Sequence, residues 1–94
     1  MEINKKGVLL SVSESDLESG VFYNDKIIEV GEGCFRGMKS LVKLILPKCT
    51  KITSSIRDNA ALTTLSLPLC KEVVNYSIRD NAALTTLSLP VCEV

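Results

Sequence analysis

From Leu41 onward the apolar positions recur in one spacing. They run Leu41, Leu44, Leu46, Cys49 and Ile52, then Leu62, Leu65, Leu67, Cys70 and Val73, then Leu84, Leu87, Leu89 and Cys92. The Leu-x-Leu step has a period of two, which predicts a short strand with alternate side chains pointing inward. Pro47, Pro68 and Pro90 follow these strands directly and end them, because proline cannot donate to a ladder. Phe35, Ile56 and Ile78 each stand six residues before the next first leucine and are expected on the opposite inner wall. The segment Asp58-Asn59-Ala60-Ala61 carries turn chemistry and is expected to pass into a short helical or 3₁₀ segment.

The spacing is a repeat. Ser55–Pro68 returns unchanged as Ser77–Pro90 at an offset of 22, and Leu41–Pro47 is a looser copy at an offset of 21 from Leu62. Self-similarity at this period predicts a solenoid, in which each copy is one coil and stacking buries the apolar side. Residues 1–26 do not repeat. Val8–Val12 reads as a strand, and Ser13–Gly20 as a short helix with Ser13 or Ser15 as its cap and Gly20 at its end. These residues are expected to form an N-terminal cap of strand plus short helix, with Val21-Phe22-Tyr23 as a degenerate first coil. Residues 27–94 are expected to be repeats of about 21–22 residues, with no C-terminal cap.

Ile28–Pro47 contains Val30, Gly31 and Phe35, then Leu41, Leu44, Leu46 and Pro47. This run resembles one unit of the BspA-like leucine-rich repeats, in which a hydrophobic-Gly-x-x-x-Phe turn precedes Leu-x-x-hydrophobic-x-hydrophobic-Pro. The later copies depart from it, with Ile56 and Ile78 in place of Phe and no glycine. The resemblance implies an α/β leucine-rich-repeat solenoid of short parallel strands with loop, 3₁₀ or helical return limbs. It also implies a binding scaffold of the kind found in bacterial or protist surface proteins.

Composition narrows the chemistry. The 94 residues are 46% hydrophobic and hold eleven basic and eleven acidic side chains. A neutral balance gives no general attraction for nucleic acid. No apolar run is long enough to span a bilayer, and no signal peptide is visible. Cys49, Cys70 and Cys92 repeat one position and are expected as buried thiols, which favours a reducing, cytoplasmic compartment; the family resemblance allows a surface or secreted one. With no histidine and no Cys-x-x-Cys pair, neither a metal site nor a cofactor is expected. Asp58 and Asp80, flanked by Arg57 and Arg79, read as a solvated charge ladder, and Asn59 and Asn81 as an amide ladder serving the turns. Cys34, beside Arg36, is expected to pack rather than react.

The chain is therefore not expected to be an enzyme. Its expected role is a protein–protein interaction scaffold of leucine-rich-repeat type. The outward strand residues Lys43, Ile45, Thr64, Ser66, Thr86 and Ser88, with Lys48 beside them, form the candidate binding face, which lacks Tyr, Trp and Arg anchors. The alternative is a self-assembling structural unit. Leu84, Leu87, Leu89 and Cys92 are then the candidate contacts of a homo-oligomer formed through residues 77–94.

Overall fold

Alternation of buried and exposed residues over three-residue strands sets the architecture of the computed structural model, which describes residues 1–74, 78–79, 81 and 84–88. Sheet A runs β1 (Glu2–Ile3), β2 (Val8–Ser11), β4 (Glu29–Val30), β7 (Lys51–Thr53) and β10 (Glu72–Val74). Sheet B runs β3 (Val21–Tyr23), β6 (Lys43–Ile45), β9 (Thr64–Ser66) and β12 (Thr86–Ser88). Sheet C holds β5 (Phe35–Arg36), β8 (Ile56–Arg57) and β11 (Ile78–Arg79). Apart from the antiparallel β1–β2 pair, all these strand pairs are parallel.

Register brings like onto like. Leu9, Val30, Ile52 and Val73 align across sheet A. Phe22, Leu44, Leu65 and Leu87 align across sheet B, and Phe35, Ile56 and Ile78 across sheet C. Of these, Leu9, Val30, Phe35, Leu44, Ile52, Ile56 and Leu65 are fully buried and Phe22 nearly so. The two phenylalanine rings meet edge to face at 5.2 Å between centroids, a favoured aromatic arrangement. Pro47 and Pro68 sit in turns closed by Cys49 N–H to Leu46 C=O and Cys70 N–H to Leu67 C=O.

The expected α/β leucine-rich-repeat solenoid is not the architecture found. The molecule is a small three-sheet β structure with almost no helix: among the described residues the one helical turn is the 3₁₀ segment Glu14–Asp16, outside the repeats. The return limbs are strands β5, β8 and β11. The reason lies in Asp58–Ala61. Asp58 takes a left-handed φ of 58°, Asn59 is drawn into the interior, and Leu62 N–H closes a turn onto Asn59 C=O. Ala60 and Ala61 alone are too few to nucleate a helix.

Residues 1–26 supply a pass of their own. β2 and β3 pair in parallel with β4 and β6, so Val21–Tyr23 lie in register with Lys43–Ile45. The link between them is held by Ser13, whose N–H donates to Asp16 Oδ2 at 2.9 Å, and by a tight turn at Ser19 and Gly20. Both residues there have positive φ, 50° and 80°, and Glu18 and Val21 exchange two backbone hydrogen bonds of 2.9 Å. That is the signature of a type I′ turn.

Candidate interaction surface

Because Phe22, Leu44 and Leu65, the middle residues of β3, β6 and β9, are buried, the flanking residues of these strands face outward in two columns, and the backbone pairing of β12 extends both. One column is Val21, Lys43, Thr64 and Thr86, and the other is Tyr23, Ile45, Ser66 and Ser88. Adjacent members stand on strands roughly 4.8 Å apart. Lys43 is exposed, and Ile45, Thr64 and Ser66 are half-buried. Thr86 and Ser88 are placed by their backbone pairing with Thr64 and Ser66. Lys48 is exposed in the turn after β6 rather than on the strand face.

Tyr23 changes the character of this face. Its side chain is 61% exposed and stands in register with Ile45, so the surface expected to lack an aromatic anchor has one at its head. The signal was present in the chain: Val21-Phe22-Tyr23 precedes Lys43-Leu44-Ile45 by 22 residues. The segment is the expected degenerate first coil, and its register with β6 is what carries Tyr23 onto this face. Beside Tyr23 a cleft of about 330 Å³ opens, lined in part by Asp16, Glu18, Phe22 and Asn24. Asp16 accepts from Ser13 N–H and pairs with the amino group of Met1 at 3.0 Å, and these contacts lower its pKa.

The other sequence-derived candidates are distributed elsewhere. Leu84 is half-buried and packs against the core, and Leu87 pairs in register with Leu65. Leu89, Cys92, Pro90 and Asp80 lie outside the described residues. Cys34, Cys49 and Cys70 are buried and none is in a disulfide. Burial pushes the Cys34 thiol up, which leaves it a poor nucleophile, and its Sγ donates to Leu9 C=O at 3.3 Å. Arg57 Nε meets Asp58 Oδ2 at 3.4 Å on the surface. Among the described residues no group of three or more His, Cys, Asp or Glu gathers as it would around a metal, and no helix is long and apolar enough to cross a membrane.

Among the described residues, Asn59 is a fully buried side chain with three hydrogen bonds. Its Oδ1 accepts from Met38 N–H at 2.9 Å, and its Nδ2 donates to Phe35 C=O at 2.7 Å and to Asn81 Oδ1 at 3.2 Å. Asn81 repeats the donation one pass later, to Ile56 C=O. These amides serve the turns of sheet C, so they are not available to a ligand.

The chain matches no family model, no curated protein and no solved structure. The likeness of Ile28–Pro47 to BspA-like repeats therefore rests on the residues of that segment.

Proposed function

We propose that this chain is a protein-binding module whose contact surface is the outer face of sheet B. The supporting observation is Tyr23, a largely exposed aromatic standing in register with Ile45 on a ladder of short strands. Tyrosine is over-represented among residues that dominate binding energy, because it offers a large rigid area with few rotors. Lys43 on the neighbouring strand and Thr64 and Ser66 on the next extend the face from that anchor with polar groups suited to a rim. The interior amides are spent on turns and the buried thiols on packing, which leaves the outer faces as the surfaces free to act.

The test is comparative capture with quantitative mass spectrometry, using the wild-type chain, Tyr23→Ala, Lys43→Glu and the sheet A control Glu72→Gln. A genuine partner is retained by the control and lost from Tyr23→Ala, which should weaken binding about 30-fold if Tyr23 contributes the roughly 2 kcal/mol of a hot spot. An identical set of bound proteins across all four chains would refute the assignment.

A further inference from the structure

Sheet C carries a column of like charge. Arg36, Arg57 and Arg79 occupy paired positions on β5, β8 and β11. Their inward neighbours Phe35 and Ile56 are fully buried, and Arg36 is exposed. Sheet A handles the same geometry in the opposite way: Glu29, Lys51 and Glu72 align in register with alternating sign. Like charges set directly opposite one another on neighbouring strands are destabilising.

Duplication accounts for the identity of Arg57 and Arg79 but not for Arg36. Between Glu32–Ser40 and its counterpart Thr53–Ala61, Arg36 and Arg57 are the sole identical pair. Phe35 corresponds to Ile56, Gly37 to Asp58 and Met38 to Asn59, so the arginine is the one side chain the two segments share. Arg36 has no acidic group within 4 Å among the described residues, whereas Arg57 is partly satisfied by Asp58 at 3.4 Å.

We propose that this column docks an acidic α-helix of a partner protein, with carboxylates at i, i+4 and i+7 meeting the three arginines. Three strands about 4.8 Å apart place the first and last arginine roughly 9.6 Å apart. Seven residues of helix rise about 10.5 Å, and residues at these spacings share one face. Alternate side chains of an extended strand are about 6.7 Å apart, so an acidic strand laid along the column reaches about 13.4 Å by its third carboxylate and overshoots the last arginine. Arginine also matches carboxylate with a bidentate fork. This surface and its partner are separate from those of sheet B.

Fluorescence anisotropy tests it, using the full chain and a synthetic helical peptide with Glu at i, i+4 and i+7. A Gln-substituted peptide and a peptide of the same composition with proline-broken helix serve as comparisons. The acidic helix should bind best, and Arg36→Gln and Arg57→Gln should each weaken it about 10-fold, the size expected for one charged hydrogen-bonded contact. Asp58→Asn, which keeps a residue tolerant of the left-handed conformation, should tighten binding by up to about fivefold by releasing Arg57. Tyr23→Ala should leave it unchanged, which separates this surface from the one on sheet B. Equal binding of the Gln or broken-helix peptide, indifference to both arginine substitutions with circular dichroism unchanged, or tighter binding of a single-stranded oligonucleotide would each overturn the proposal.

Discussion

Two buried polar side chains show how differently a hydroxyl and an amide fare inside this molecule. Asn59 is fully buried and satisfies Met38 N–H and Phe35 C=O. Asn59→Ala would strand both, at about 1–3 kcal/mol for each unpaired group, and urea denaturation should show the loss. Ser55 is equally buried, yet its Oγ has no hydrogen-bond partner among the described residues. It precedes Ile56 as Cys34 precedes Phe35, with the two strands in register, so the position holds a small side chain in both passes. Ser55→Ala should therefore be neutral or stabilising, by up to about 1–3 kcal/mol, since it removes an unsatisfied group; a clear drop in the denaturation midpoint would show that the hydroxyl does bond.

The elements that link the strands depend on two local devices in the first pass. Gly20, at a φ of 80°, sits where an added Cβ would lie 2.9 Å from Ser40 C=O, and its own carbonyl accepts from Val42 N–H at 2.8 Å. Gly20→Ala should cost at least about 1–2 kcal/mol from the left-handed backbone alone, measurable by thermal melting, and Ser19→Gly should not. Close by, Glu14 reaches across to Ser40, accepting from its N–H at 2.6 Å, and the hydrogen bonds from Ser40 lower the Glu14 pKa. The sign follows: a carboxyl whose folded pKa is depressed stabilises the fold above its unfolded value, and that contribution is lost as pH falls through the folded value. The Ser40 amide resonance should therefore titrate with a midpoint below the range of a free glutamate, and a midpoint within that range would mean the contact does not form. These devices also mark what was legible in the chain. Ser13 as a start was readable from capping chemistry, but the helical turn ends at Leu17 and not at the expected Gly20. Gly20 instead shares a hairpin turn with Ser19, which nothing local announces because Glu18 and Val21 pair only in the fold.

On the scale of the molecule, the period-two leucines and the prolines after them gave the strands of sheet B and their turns, since both signals act within a few residues. The inward side of Phe35 and Ile56 was likewise readable from spacing. The return limb was not: a helical or 3₁₀ continuation after Asp58 looked reasonable on propensity, but Ile56 and Arg57 gain parallel partners on either side, and the Asn59 amide closes the turn. Tertiary pairing overrode local preference. The candidate surface was half visible for a related reason. Lys43, Ile45, Thr64 and Ser66 lie within the repeat, whereas Tyr23 joins their face only because β3 pairs with β6.

The duplicated register has one more consequence, for chain length. Ile56 and Ile78 occupy equivalent places in sheet C, as do Leu65 and Leu87 in sheet B, and the flanking residues are the same from Ser55 to Pro68 as from Ser77 to Pro90. Removing residues 55–76 joins Ser54 to Ser77 and offers β5 and β6 the same side chains they meet now. Such a shortened chain should still fold cooperatively, with a smaller urea m-value in proportion to the surface it no longer buries. A non-cooperative melt would show that the two copies are not interchangeable. Between Ser55 and Pro90, length comes in a unit of 22 residues.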